Sequence, residues 1–134
     1  MRRLKELFSL KGKSAVVTGG AGILGKWFCS GLAEFGANVA VVDIDGRAAA
    51  ALAKDVREKF KVKSVGIACD VSDEGSVKKM LRAALGAFGR VDILHNNACS
   101  KSLITHLVQL YFSFKGPENK GSIYPHQRSA DCCN

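Results

Sequence analysis

The sequence predicts a doubly wound α/β sheet, and three observations carry that expectation. Between Ser14 and His95, four short apolar runs alternate with three amphipathic stretches. The runs lack the polar alternation of half-exposed strands, so they read as strands buried on both faces. The stretches between them are long enough for right-handed helical crossovers, which makes the sheet parallel and helix-covered, with strand order 3-2-1-4.

The elements follow in order. Ser14-Ala-Val-Val-Thr18 is a β-branched run that stops at a glycine cluster. Gly22 to Phe35 reads as the first crossover helix, with Leu24, Phe28, Leu32 and Phe35 recurring at helical spacing and Gly36 as its stop. Asn38 to Asp43 is the second strand. Asp45 then caps a helix whose Leu52, Val56 and Phe60 share one face. Lys63 to Cys69 forms the third strand. Ser72, Asp73 and Glu74 provide a cap and an acidic first turn for the third helix, whose inner face is Val77, Met80, Leu81, Ala84 and Phe88. Val91 to His95 is the fourth strand.

Composition excludes several classes. The chain has 134 residues, 47% of them hydrophobic and 24% charged, enough for one core and too few for two domains. No apolar run approaches the length of a membrane span. The formal charge is +8, and half of it lies in residues 1–13, which carry five basic residues and only Glu6 as an acid. Residues 14–98 are nearly balanced, with eleven basic against nine acidic side chains. A stripe for nucleic-acid phosphates would need that arm together with Lys54, Arg57, Lys59, Lys61 and Lys63, where Asp55 and Glu58 intervene. The cluster reads instead as a solvated helix end. Five cysteines without a C-x-x-C, and an N-terminus without a secretory apolar core, point to a reducing compartment, the cytoplasm.

The chemistry is expected at the first strand-to-helix turn. Thr18-Gly-Gly-Ala-Gly-Ile-Leu-Gly25 sets glycines at 19, 20, 22 and 25 between a strand and a helix. Without Cβ atoms the backbone can approach a pyrophosphate, and the helix N-terminus aims N–H groups and a positive dipole end at it. Gly25 would let the helix pack closely. Asp43 ends the second strand, where a carboxylate accepts ribose hydroxyls and repels a 2′-phosphate. NAD is therefore expected over NADP, with Arg47 nearby as the feature that favours NADP.

TGGAGILG, VVDID, CDVSDE at Cys69 to Glu74 and VDILHNNA at Val91 to Ala98 together resemble the N-terminal half of the short-chain dehydrogenase/reductase family. The resemblance implies a Rossmann-like fold and NAD(P)-dependent hydride transfer on a small carbonyl or alcohol. Under it, Gly19, Gly20, Ala21, Gly22, Leu24 and Gly25 form the pyrophosphate loop and Asp43 holds the adenine ribose. Asp70 and Val71 flank the adenine, and Asn97 and Ala98 meet the cofactor at the fourth strand. Two departures stand out. Ile23 occupies a position where classical members have Gly, so the glycine spacing is nearer the extended type. Cys99 replaces the Gly of NNAG.

After residue 98 the family pattern breaks. Members carry a catalytic Ser and a Tyr-x-x-x-Lys pair farther along, in which the Lys lowers the Tyr pKa. Tyr111 and Lys115 match that spacing, but too soon after Asn97 for the intervening elements. Residues 99–114 hold a helix-like segment, Ser102 to Phe114, suited to covering the edge of the fourth strand. Residues 115–134 read as an irregular tail. The chain thus reads as a truncated or alternatively terminated reductase carrying the cofactor half. The alternative is a non-catalytic nucleotide-binding or dimerisation module. A homo-oligomer is compatible with either, and no metal ligand set is evident.

Overall fold

The computed structural model describes residues 4–98 and 122–123. Its elements are α1 (Leu4–Leu7), β1 (Ser14–Thr18), α2 (Ile23–Glu34), β2 (Asn38–Asp43) and α3 (Gly46–Phe60), followed by β3 (Ser64–Ala68), α4 (Glu74–Phe88), β4 (Ile93–Asn96) and β5 (Ser122–Ile123). The strands pair in parallel in the order β3-β2-β1-β4-β5. The expected 3-2-1-4 order is present. One departure lies in the stretch read as an irregular tail, where Ser122–Ile123 pairs with Ile93 and Leu94 on the outer edge of β4. An open strand edge offers unpaired N–H and C=O groups, and backbone pairing satisfies them. The helix-like segment at 102–114, Cys99, Tyr111 and Lys115 lie outside the described residues.

Side chains alternate across the sheet, so each strand feeds two cores. Val17, Val39 and Val41 pack with Cys29 and Ala33 of α2 and with Ala49, Ala53 and Val56 of α3. Val16, Ala40, Val42 and Leu94 pack on the other side with Val77, Met80, Leu81 and Ala84 of α4. Small residues set how closely α3 approaches. A Cβ at Gly66 on β3 would lie 2.4 Å from Ala50 N.

The first crossover helix needs a correction. Leu32 packs against the core, but Leu24, Phe28 and Phe35, its helical-spacing companions, are exposed to varying degrees. The buried face of α2 is instead Gly25, Cys29 and Ala33. The helix lies too close to β1 and β2 for bulky side chains, so the sheet takes the small-residue stripe and the large one faces outward.

The far end of the sheet is latched by charge. Ser14 N donates to Asp92 Oδ2 at 2.9 Å, and Arg90 Nε donates to Asp92 Oδ1 at 2.9 Å. Lys13 Nζ lies 4.0 Å from the same carboxylate. Burial alone would raise the Asp92 pKa. The hydrogen bonds from Arg90 and the Ser14 N–H, with the charges of Arg90 and Lys13, outweigh it and hold the carboxyl below its ordinary range. The end of the basic arm is fixed here too, with Leu10 N donating to Phe35 O and Asn38 N to Lys13 O.

Candidate functional site

The carboxyl ends of β1, β2, β3 and β4 converge on one rim, the place where open α/β sheets receive ligands. At the end of β1 the chain turns through Gly19 at φ +61°, a left-handed conformation that side chains resist. A Cβ there would lie 2.9 Å from Ala98 Cα, so the turn and the end of β4 are in direct apposition. Gly20 N donates to Val42 O at 2.9 Å, which ties the loop to β2. Gly22 N donates back to Gly19 O at 3.1 Å. Gly25 permits the closest approach, since a Cβ would meet Gly19 O at 2.1 Å.

Helix α2 then starts without a cap. Gly22 is its N-cap residue, makes no side-chain hydrogen bond, and no acidic residue stands in the first turn. The first N–H groups of any α-helix lack internal acceptors, and here no side chain supplies one. The other two crossover helices differ. Asp45 Oδ1 accepts from Arg47 N and Ala48 N at 3.0 Å, and Asp73 Oδ2 accepts from Ser76 N at 2.7 Å. An anion is therefore best received at α2.

Asp43 stands beside this loop with each carboxylate oxygen already used once. Oδ2 accepts from Ala21 N at 3.1 Å and Oδ1 from Asp45 N at 3.1 Å. A carboxylate has about four acceptor positions, so two stay available for hydroxyls. The residue thus braces the glycine loop as well as facing the rim, a structural duty its position in sequence does not reveal.

Asn97 and Ala98 are drawn to the same place through a residue the sequence reading passed over. Thr18 Oγ1 accepts from Asn97 N at 3.1 Å and from Ala98 N at 3.2 Å. Asn97 Nδ2 donates to Gly19 O at 3.1 Å. The signal for Thr18 was a hydroxyl at the last position of an otherwise apolar strand, fully buried in the structure. Buried hydroxyls need partners, and here the partners come from β4.

Asp70 and Val71 follow β3, where Cys69 N donates to Asp43 O at 2.9 Å. Asp70 is exposed, and the hydroxyl and N–H of Ser72 lower its carboxyl pKa. Val71 packs against the α4 core. Leu24 is exposed beside the loop. Cys29, under the loop, is inert, because burial pushes its thiol up to about 12 against a weak opposing backbone hydrogen bond. The His95 ring packs tilted against Phe28, with 4.1 Å between centroids. Among the described residues no group of His, Cys, Asp and Glu could hold a metal ion, and no helix is long and apolar enough to cross a membrane.

Comparison with known proteins shows the family and the fold. The family model of the short chain dehydrogenases matches residues 13–109. D-threitol dehydrogenase of Mycolicibacterium smegmatis is 42% identical over 91 residues, covering 68% of this chain and 35% of the relative. L-sorbose reductase of Gluconobacter frateurii, solved with NADPH and L-sorbose, superposes with a TM-score of 0.66 at 32% identity, over 71% of this chain and 36% of that one. The 3-ketoacyl-(acyl-carrier-protein) reductase of Brucella melitensis, solved with NADH, gives a TM-score of 0.59 at 36% identity, over 64% and 34% of the two chains. The chain spans about a third of the length of the relatives it matches.

Proposed function

The chain belongs to the short-chain dehydrogenase family of oxidoreductases, and from that premise we propose that it binds a nicotinamide dinucleotide across the rim formed by β1, β2 and β4. The observation that carries the proposal is the uncapped start of α2, set behind the turn Gly19, Gly20, Ala21 and Gly22, in which Gly22 is exposed, Gly19 and Ala21 are half-buried and Gly20 is packed against β1 and β2. Those residues, with Leu24 and Gly25, form the diphosphate seat. Asp43 holds the adenine ribose through its remaining acceptor positions, Asp70 and Val71 border the adenine, and Asn97 and Ala98 border the route toward the nicotinamide.

The bound nicotinamide would supply the hydride chemistry. The chain's own residues hold and orient it: the α2 dipole offsets diphosphate charge, and the Thr18 hydroxyl keeps Asn97 and Ala98 at the loop. Relatives are known with NADH and with NADPH, so the choice rests on this chain's own side chains. Asp43 favours NAD, because a 2′-phosphate placed against a carboxylate is repelled. The reaction class is reduction of a carbonyl or oxidation of an alcohol on a small molecule.

Titration calorimetry of the full chain with NADH and NADPH tests the binding step. Micromolar NADH binding, weaker NADPH binding and loss of both in Gly22→Val are expected. Silence with both dinucleotides refutes the proposal, and tighter NADPH binding refutes the role given to Asp43. A second reading, a dinucleotide-binding module without turnover, is favoured by the sequence, in which the Tyr111-x-x-x-Lys115 match follows Asn97 by only fourteen residues. A turnover assay comparing the parent with Tyr111→Phe separates the two readings.

A further inference from the structure

The positive charge of the molecule is concentrated at one end. Strands β1, β2, β3 and β4 are parallel, so they start together at the end opposite the rim, and α3 finishes there. Hydrogen bonds fasten the pieces into one surface. Leu10 N donates to Phe35 O at 2.8 Å, Asn38 N to Lys13 O at 2.9 Å, Lys63 N to Asn38 Oδ1 at 3.1 Å and Arg57 Nη1 to Ser64 O at 2.9 Å. Lys11, Lys13, Arg57, Lys59, Lys61 and Lys63 are all exposed on this surface, and the basic residues 1–5 lead into it. The acids at this end are Glu6, Glu34, Glu58 and Asp92. Asp92 is already held by Arg90 and Lys13, and Glu58 lies 3.9 Å from Lys54. Among the described residues, Lys11, Lys59, Lys61 and Lys63 take no part in an ion pair. The rim end carries Asp43, Asp45, Asp70, Asp73 and Glu74 against Lys26, Arg47 and Lys78, so the molecule is electrically polarised along its strands.

The basic end also exposes apolar side chains. Leu7 is 61% and Phe8 63% exposed, at the end of α1 and just before the segment that Leu10 ties to α2. Apolar side chains set among unpaired lysines suit the boundary between headgroups and acyl chains, where a protein lies on a membrane rather than spanning it. A nucleic acid would use the charge and leave Leu7 without a partner. The sheet grows beyond β4, as β5 shows, so further crossovers lie over its faces and on that side, leaving the starts of β2 and β3 and the end of α3 at the surface. One lysine is retained where the backbone favours glycine. Both α3 and α4 end in a left-handed cap, made by Gly89 in α4 and by Lys61 at φ +58° in α3.

We propose that this end of the molecule docks on an anionic lipid surface, with Leu7 and Phe8 entering the headgroup layer and the lysines of the arm and of the α3–β3 turn meeting lipid phosphates and carboxylates. The dinucleotide rim, at the opposite end of the strands, then faces water. Co-sedimentation of the full chain with vesicles tests this, using phosphatidylcholine alone and phosphatidylcholine with about one third phosphatidylserine. The mixed vesicles should bind at least about tenfold more protein, and salt at about 0.5 M should abolish the difference. Lys61→Gly removes a charge while relaxing the cap. Its urea midpoint should equal or exceed the parent's while vesicle affinity falls about fivefold, and adding Lys63→Gln should bring the loss to about twentyfold. Phe8→Ser should weaken vesicle binding about tenfold and leave binding to a short DNA duplex unchanged. Lys79→Gln, which removes the same charge from the first half of α4, serves as a control and should bind vesicles like the parent. Three results overturn the proposal: equal binding to the two vesicle types, vesicle binding undiminished in the Lys61→Gly, Lys63→Gln variant, or vesicle binding indifferent to Phe8→Ser. The last, with the duplex bound more tightly than the vesicles, would make the basic end a nucleic-acid surface.

Discussion

The turns from β1 into α2 and from β3 into α4 are made from the same parts and end in opposite states. Each follows a parallel strand at the same rim, and each starts a helix with unpaired N–H groups. At α4 the Asp73 carboxylate accepts from Ser76 N and occupies the position an anion would take. At α2 the cap is Gly22, which offers nothing. Under the proposed function, the difference teaches that the dinucleotide seat is defined by what the chain withholds. The chain stabilises two crossover helices with aspartate caps and forgoes that gain, about 1 kcal/mol, at the third.

Four substitutions break or sharpen this contrast, from the largest effect to the smallest. Gly25→Val drives a branched side chain into Gly19 O and the backbone of Gly20, where even a Cβ would lie 2.1 Å from that oxygen. It should cost several kcal/mol and abolish cooperative unfolding in urea together with binding. Gly22→Asp converts the open turn to the closed kind. Its Cβ meets only Gly19 O at 3.2 Å, so stability should change by less than about 1 kcal/mol while NADH affinity falls at least about a hundredfold. Calorimetry beside urea melts separates the two effects. Asp43→Asn keeps an acceptor for Ala21 N and removes the charge. NADH binding should weaken about tenfold and the margin over NADPH should narrow, read as the ratio of the two dissociation constants. Asp73→Ala opens the closed turn, at a cost of about 1 kcal/mol in the urea midpoint and with no change in NADH affinity.

The end of the sheet opposite the rim carries a carboxylate whose contribution to stability depends on pH. The Asp92 carboxyl is held below its ordinary range in the folded state, so the stability it confers is complete above the unfolded value of about 3.9 and is lost as pH falls through the folded one. Urea midpoints measured from about pH 5 downward should decline more steeply in the parent than in Asp92→Asn. NADH affinity at neutral pH should be the same in both, because Asp92 lies among Ser14, Lys13 and Arg90, away from the glycine loop.

Much of the fold was legible because its signals are local. Apolar runs, Asp45 and Asp73 before helices, and glycines behind β1 each express a backbone requirement within a few residues, and the elements appear in the structure within one or two residues of where the pattern put them. The face of α2 was not legible in the same way. Its periodicity is satisfied by two stripes, and only the distance between helix and sheet, set by Gly25 against the loop and Cys29 under it, decides that the small one turns inward. The strand at Ser122–Ile123 escaped for a related reason, since two residues carry no period and pair only because β4 offers an edge.

By itself the sequence determined the order of elements, the parallel sheet and the position of the glycine turn, since these follow from side-chain periodicity and from residues that lack a Cβ. Only the tertiary structure decided that the Thr18 hydroxyl joins β1 to Asn97 and Ala98, and that Asp43 braces Ala21 while facing the rim. These contacts join residues far apart in the chain, and their geometry exists only once the strands lie side by side.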